Sequence, residues 1–228
     1  MLRRLREWLL GPPPADGHPL AWDREDMSEV WLVVGLGNPG ASYAGHRHNV
    51  GYLVADELAD RLDGQGGATW RAHKTGRADV VEGRLGAPGT DGPRIVLGRP
   101  RSYMNETGGP VKALMTFYKV EPDHLVVVHD ELDLPFGTMR VKLGGGDNGH
   151  NGLRSLRGAL GTGDFYRVRI GIGRPPGRQD VSDFVLSNYS TTERKDVPFQ
   201  VYDGADAVES LLVDGLERAQ QKFNNASR

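Results

Sequence analysis

Cysteine is absent from the 228 residues of this chain. The protein can therefore form neither a disulfide framework nor a thiolate metal site, and it has no cysteine nucleophile. This composition suits a reducing compartment, and we expect a cytoplasmic protein. Long apolar runs are also missing, since none approaches the roughly 20 residues that a membrane-spanning helix needs. What remains is an ordinary globular protein, long enough for one domain with its own core.

The first 28 residues differ in composition from the rest of the chain. A basic cluster at residues 3–6 is followed by three consecutive prolines at residues 12–14. The apolar stretch between them is too short for the core of a signal peptide. We therefore expect residues 1–28 to be a poorly ordered extension and residues 29–228 to form the domain.

Charge is nearly balanced over the whole chain, which carries a net charge of −2, but it is unevenly distributed. Between Thr138 and Arg178, eight basic residues are opposed only by Asp147 and Asp164. A basic region within a mildly acidic protein indicates a polyanionic partner. A solvated basic face is the alternative that charge alone leaves open.

Apolar runs and helical spacing alternate along the chain from residue 30. The near-continuous apolar runs at residues 30–36 and 124–130 are typical of strands buried on both faces. Further strands are predicted at residues 77–85, 94–100, 138–143 and 166–173, and helices at about residues 50–62, 108–120, 151–161 and 201–222. We expect an α/β fold of a single domain, with a twisted, mixed, mostly parallel central sheet and helices on both faces.

The first apolar run ends in Gly35, Gly37 and Gly40, whose spacing matches the dinucleotide-binding fingerprint G-x-G-x-x-G. That fingerprint requires a helix directly after the glycine turn and an acidic residue about 20 residues on, at the end of a second strand. Here Pro39 interrupts the turn, and Asp56 falls inside the predicted helix. The pattern therefore indicates a ligand site at the carboxyl edge of the sheet rather than a nicotinamide or flavin cofactor.

Polar side chains recur where predicted strands end or the following helices begin. These are Asn38 and His48 after the first strand, Asn105 after strand 94–100, His129 and Asp130 at the end of strand 124–130, and His150 and Asn151 before helix 151–161. Each alone could cap a helix or a turn. Ligands of open α/β sheets, however, bind at the carboxyl ends of the strands. The recurrence therefore predicts that these groups share one site.

A metallohydrolase is an alternative at this edge of the sheet. Its ligands would come from His46, His48, His129, Asp130 and Asp133. His46 and His48 are two residues apart, however, and do not share a helix face as residues four apart would. We predict no metal and no other cofactor.

Five segments match the signature segments of a known family in order and spacing. They are VVGLGNPGASYAGHRHNVGY, RPRSYMNETG, HDELDLPFG, KLGGGDNGHNGLRS and YRVRIGIGRP, and the similarity covers about residues 30–225. On these segments the chain resembles bacterial peptidyl-tRNA hydrolase. It departs from the family pattern at Asp147 and Asn148 in the glycine loop, where we expect the acidic side chain to weaken RNA contact or alter loop mobility.

The resemblance implies hydrolysis of the ester that joins a peptide to the 3′ ribose of tRNA, which recycles tRNA from stalled or aborted translation. In that reaction His48 would be the general base, Asp130 would fix its tautomer, and Asn38 would orient the water or the base. Substrate contacts would come from Tyr43, Tyr103, Met104, Asn105 and Asn151. A clamp of Lys142 and Arg169 would hold the 5′ phosphate of the tRNA.

The same resemblance implies a partner, peptidyl-tRNA, and no cofactor or membrane. We expect a monomer, because no long exposed apolar face or heptad pattern indicates otherwise. One functional alternative remains open on the sequence alone: a non-catalytic RNA-binding relative with the same fold.

Overall fold

The computed structural model describes residues 30–63, 69–86 and 92–225. The extension expected at residues 1–28 lies outside these ranges, as do parts of the loops predicted after residues 62 and 85. Within the described residues, no helix is both long enough and apolar enough to cross a membrane.

Within the described ranges, seven strands form one sheet. They are β1 Val30–Gly35, β2 Arg71–Ala72, β3 Ala78–Arg84, β4 Arg94–Pro100, β5 Leu125–Glu131, β6 Met139–Leu143 and β7 Tyr166–Gly171. Their order across the sheet is β2-β3-β4-β1-β5-β7-β6. The four central strands β4, β1, β5 and β7 run parallel, whereas β2, β3 and β6 pair antiparallel at the two sides. The predicted mixed sheet with a mostly parallel centre is confirmed, and the carboxyl ends of the central strands meet at one edge.

Helices cover both faces of the sheet, as predicted. They are α1 Val50–Asp63, α2 Gly108–Tyr118, α3 Asn151–Leu160, α4 Val181–Val185, α5 Val197–Asp214 and α6 Leu216–Phe223. The apolar side chains of α1, α5 and α6 pack into one core cluster with one face of the sheet. Those of α2 and α3 pack into a second cluster on the other face.

The continuous apolar runs of the central strands supply both core layers. In β1, Leu32 and Val34 point into the cluster under α2 and α3, while Val33 points into the cluster under α1. All three side chains are fully buried, and each such burial stabilises the fold by about 1.5–3 kcal/mol. Alternation of side chains along a strand that is covered on both faces explains why the run contains no polar residue.

Two details differ from the prediction. The helical segment expected at residues 201–222 begins earlier, at Val197, and is divided by Gly215, whose φ of 84° is a left-handed conformation that favours glycine. The strand β2 was not predicted, because its two residues are both exposed and carry no apolar pattern.

Two glycines, Gly35 at the end of β1 and Gly51 at the start of α1, allow α1 to lie unusually close to the sheet. A Cβ on Gly51, at the start of α1, would overlap the carbonyl oxygen of Val128 in β5, and a Cβ on Gly35 would overlap the carbonyl oxygen of Gly51. Since neither glycine has a side chain, the amino end of α1 lies directly against the ends of β1 and β5. This close approach, rather than a dinucleotide, accounts for the first glycine of the apparent fingerprint.

Candidate active site

The turn before α1 delivers a histidine to an aspartate at the end of β5. His48 lies in a 3-10 turn, Arg47–Asn49, that leads straight into α1, and Asp130 is the penultimate residue of β5. The Nδ1 atom of His48 lies 2.8 Å and 2.9 Å from the two carboxylate oxygens of Asp130. Both residues are buried, at 8% and 3% exposure. Because Nδ1 faces a carboxylate, it carries the proton, and Nε2 is left as the basic nitrogen.

A second imidazole shares the same carboxylate. The Nε2 atom of His150 lies 3.0 Å from Oδ1 of Asp130. On the other side of the ring, Nδ1 of His150 accepts hydrogen bonds from the backbone N–H groups of Gly152 and Leu153 and so caps α3. In this arrangement Nδ1 of His150 is the acceptor, and Nε2–H is the donor to Asp130. The sequence marked His150 as an edge residue but assigned it no role.

Burial and charge act in opposite directions on this group of side chains. Burial alone would raise the pKa of Asp130, but attraction to His48 and His150 and their hydrogen bonds hold that pKa well below its usual range. Burial alone would lower the pKa of His48, but the charge of Asp130 and the hydrogen bond to it raise that pKa above its ordinary value. The carboxylate is therefore ionised at neutral pH and favours the protonated form of His48.

Asn38, which lies in the turn after β1, is held by hydrogen bonds on two sides. Its backbone N–H donates to Oδ1 of Asn49 and its backbone oxygen accepts from Nδ2 of the same residue, both at 2.9 Å. Its side-chain oxygen accepts from the backbone N–H of Met104 at 2.8 Å. Asn38 therefore presents its NH₂ group, a donor, to the cleft. Asn49, which fixes this arrangement and follows His48 directly, was not anticipated from the sequence.

These side chains line one cleft of about 660 Å³ at the carboxyl edge of the sheet. It brings together every residue predicted for catalysis or substrate contact: Asn38, Tyr43, His48, Tyr103, Met104, Asn105, Asp130 and Asn151. The exposure of these residues varies widely: Met104 is 4% exposed and belongs to the core as well, whereas Tyr103 is 54% exposed at the mouth. The arrangement supports the predicted roles but does not test them.

One wall of the cleft was missed by sequence reasoning. It consists of Val181, Ser182 and Val185 of α4, the following Leu186, and Leu132 after β5. None of these residues was predicted from the sequence to belong to the site. Apolar residues give no sequence signal of facing a cleft rather than a core, so this wall could be recognised only in three dimensions.

The two residues predicted to bind phosphate lie outside the cleft, on neighbouring strands. In the antiparallel register of β6 and β7, Lys142 is opposite Arg167 and Arg140 is opposite Arg169, so the four cations share one face. Arg169 donates to Oε2 of Glu131 at 2.9 Å and 3.1 Å. Among the described residues Lys142 makes no ion pair, and its charge is available to a ligand.

Arg167 was counted from the sequence as part of the basic region, but it serves the glycine loop instead. It is 3% exposed. Its guanidinium donates to the backbone oxygen of Gly145 at 2.6 Å and to that of Gly163 at 3.2 Å, and it also binds Gly146. A buried cation satisfied by carbonyl oxygens fixes the loop that leads to His150.

The structure brings together two of the five metal ligands that the sequence suggested, His48 and Asp130. Among the described residues, the group that could hold an ion is His48, Asp130 and His150. His129 is fully buried, its pKa is held well below the ordinary value by burial and by His150, and its Nδ1 bonds the backbone oxygen of Asp130. Asp133 binds Arg174 and Asn148. The three grouped side chains are already joined by direct hydrogen bonds.

Comparisons with known proteins agree with this geometry. The family model of peptidyl-tRNA hydrolase matches residues 32–228. A peptidyl-tRNA hydrolase of Kineococcus radiotolerans is 60% identical over 200 residues, which cover 87% of this chain and 98% of the relative, and that of Streptomyces coelicolor is 56% identical over 88% and 98%. The crystal structure of peptidyl-tRNA hydrolase from Acinetobacter baumannii is 35% identical, with a TM-score of 0.77 over 88% of this chain and 97% of that one. The chain therefore belongs to the peptidyl-tRNA hydrolase family.

Proposed function

We propose that this chain, as a member of that family, hydrolyses the ester between the peptide and the tRNA of peptidyl-tRNA with His48 as general base and Asp130 as its partner. The observation that carries the assignment is the hydrogen bonding of His48. Both oxygens of Asp130 engage Nδ1, so Nε2 is the nitrogen left to take a proton in the cleft. A histidine base suits proton transfer near neutral pH.

The nucleophile is a water molecule. Ser182 is the only serine among the described residues that line the cleft. Its hydroxyl donates at 2.6 Å to the carboxylate of Asp180, the residue that caps α4 by accepting from the backbone N–H of Ser182. It is therefore engaged away from His48, and a serine–histidine pair of the covalent type is not formed.

The reaction balances with the side chains in the cleft. His48 removes a proton from water as the oxygen attacks the ester carbonyl, and a tetrahedral oxyanion forms. When the intermediate collapses, the bond to the ribose 3′ oxygen breaks and that oxygen takes the proton from His48. The products are a peptide carboxylic acid, which loses its remaining proton to solvent, and a tRNA with a free 3′ hydroxyl. Asp130 stabilises the imidazolium that exists between the two transfers.

Amide groups supply the contacts to the acyl group. Asn38 can only donate into the cleft, because Met104 holds its oxygen, and we assign its NH₂ to the developing oxyanion. Asn105 and Asn151 are exposed in the same cleft and suit the peptide backbone, since an amide both donates and accepts. Groups that bind backbone explain how an enzyme can accept many peptide sequences.

The remaining predicted contacts suit the tRNA. Tyr43 and Tyr103 approach edge to face, with ring centres 6.2 Å apart, and with Met104 they offer apolar surface to the terminal adenosine. Lys142 and Arg169 remain our proposal for the 5′ phosphate, with Lys142 as the main cation because Arg169 is paired with Glu131. The nearby Arg154 and Arg157 pair with Asp147 at 3.7 Å and 3.3 Å, so their charges are less available.

Asn148, the second unusual residue of the glycine loop, connects the loop to a different segment from the one that Asp147 contacts. It has a left-handed φ of 48°, and its amide donates to Glu131 at 2.9 Å and to Asp133 at 2.7 Å. The Asp147–Asn148 pair thus ties the loop to α3 and to the end of β5, which favours the altered mobility expected from the sequence.

We also propose that the chain acts as a monomer in the cytoplasm, where ribosomes produce its substrate.

The test is release of N-acetyl-amino acid from N-acetyl-aminoacyl-tRNA in the presence of EDTA. We expect turnover by the wild type and a loss of at least about 10²–10⁴ in rate for His48→Ala. The matched control is His124→Ala, which removes a half-buried histidine at the opposite end of β5 and should turn over normally. Binding of tRNA without turnover by the wild type would instead indicate a non-catalytic RNA-binding relative. Turnover that EDTA abolishes would indicate a metal enzyme.

A further inference from the structure

The two walls of the cleft differ in chemistry. The wall formed by Asn105 and the segment from Asn148 to Asn151 is polar. Another part of the cleft lining carries Val181 and Leu186, which are large apolar side chains with 43% and 40% of their surface exposed. Exposed apolar surface in a cleft that already contains the reacting groups calls for an apolar ligand.

The apolar wall is preformed, because α4 is anchored beside the catalytic turn. The guanidinium of Arg47, next to His48, donates to Oγ of Ser187 and to the backbone oxygen of Asn188, both at 2.7 Å. The same group lies 4.3 Å from the ring centre of Phe184. Phe184 and Val185 pack into a buried cluster with Ile172 and Tyr189. The position of the wall relative to His48 is therefore fixed before a substrate binds.

Charge decides which part of the substrate meets this wall. Among the described residues that line the cleft there is no lysine or arginine, while Asp130 and Glu131 are acidic. A phosphate would be repelled there, and Lys142, the cation available to the tRNA, lies outside the cleft on β6. The group that combines attachment to the reacting ester with an apolar surface is the side chain of the peptide.

We propose that Val181 and Leu186, with Val185 and Leu132, form a subsite for an apolar side chain of the residue esterified to the tRNA. The proposal rests on the proposed function, and it adds a preference to it. Because the subsite is an open wall rather than a closed pocket, the preference is graded. We expect kcat/KM to rise by about 3- to 10-fold from an alanyl to a leucyl residue, less than an enclosed pocket would give.

The experiment compares N-acetyl-alanyl, N-acetyl-valyl and N-acetyl-leucyl esters of one and the same tRNA, prepared by ribozyme acylation so that the RNA is constant. The measured quantity is the leucyl-to-alanyl ratio of kcat/KM. Leu186→Ser and Val181→Ser should reduce this ratio towards one, and Leu186→Met should keep it. Val213→Ser is the matched control, since Val213 is an apolar residue of α5 with 64% exposure that does not line the cleft.

The outcomes separate this proposal from the proposed function. A graded wild-type ratio that is lost in the two serine variants and kept in Val213→Ser supports the subsite. A wild-type enzyme that depends on His48 but shows a ratio near one overturns the subsite alone. Equal losses on all three substrates in the serine variants also overturn it, since the wall would then hold a group common to every substrate, such as the terminal adenosine. No turnover by the wild type contradicts the proposed function itself.

Discussion

Two histidine–aspartate pairs stand at opposite ends of the same strand. At the carboxyl end of β5, Nδ1 of His48 lies 2.8 Å from Asp130, and just before the amino end, Nδ1 of His124 lies 2.8 Å from Asp123. By distance the two pairs are equivalent. The side chains of the first pair are 9% and 2% exposed, however, and those of the second are 36% and 73% exposed.

The difference shows that environment, not distance, separates a candidate catalytic pair from a surface contact. An exposed pair is screened by water and contributes little, whereas burial strengthens the interaction of His48 with Asp130. Only the buried pair uses both carboxylate oxygens, has a second imidazole on the same carboxylate, and opens into a cleft. It also lies at the edge where all central parallel strands end, so several elements can contribute groups to it.

The largest effect is expected from a variant that breaks the buried pair and keeps the histidine. We expect Asp130→Asn to lower kcat by about 10³–10⁴ with little change in KM, because an amide at this position favours the wrong tautomer of His48. The matched variant Asp123→Asn should leave both constants unchanged. Steady-state kinetics on N-acetyl-aminoacyl-tRNA measure the two variants side by side. Similar losses in both would mean that the buried pair acts only through stability.

Polar residues at the ends of apolar strands predicted the buried pair from the sequence. The limits of this signal are also the limits of what the sequence predicts about the site. His48 and Asp130 are 82 residues apart, yet both follow local signals: an apolar run that ends in a polar group, and a histidine at a helix start. Such signals are local because a buried strand must be apolar along its whole length. The fold class and the composition of the polar part of the cleft were predictable for this reason.

Three-dimensional contacts carried no comparable signal. Arg167 has the same residue type as the neighbouring Arg169, but its guanidinium turns into carbonyl oxygens of the glycine loop. Val181 and Leu186 are apolar like core residues, but they face the cleft. His150 combines a helix cap with a hydrogen bond to Asp130, and sequence spacing indicates only the cap. In each case the role depends on the segment that folds opposite the residue.

A residue that contacts phosphate outside the cleft should affect tRNA binding and leave the chemical step unchanged. We expect Lys142→Gln to weaken tRNA binding by about 3- to 10-fold and to reduce the salt dependence by roughly one phosphate contact, with kcat unchanged. Lys119→Gln is the control, because Lys119 lies between α2 and the amino end of β5. Binding titrations at several salt concentrations measure both. An unchanged slope for Lys142→Gln would remove this lysine from the proposed phosphate clamp.

The smallest effect is expected at His150, the second imidazole on Asp130. Among the described residues, the surface pair of His124 and Asp123 has no counterpart to it. The proposed general base His48 would work unprotonated, so kcat/KM should fall about tenfold per pH unit below its pKa, which lies above the ordinary value of 6.5. His150 donates to the same oxygen of Asp130 and so weakens the pull of that carboxylate on His48. Removing this donor should raise the pKa of His48 and move the acidic limb to higher pH.

His150→Asn is the variant of choice, because asparagine can still cap α3 but is too short to replace the imidazole. We expect the midpoint of the acidic limb to rise by about half a pH unit, with kcat at high pH largely retained. The profile of kcat/KM from pH 5 to pH 9 at constant ionic strength measures this shift, with His124→Asn as the control. A merely structural role for His150 would lower the whole curve and leave its midpoint in place, and the buried pair would then be tuned by Asp130 alone.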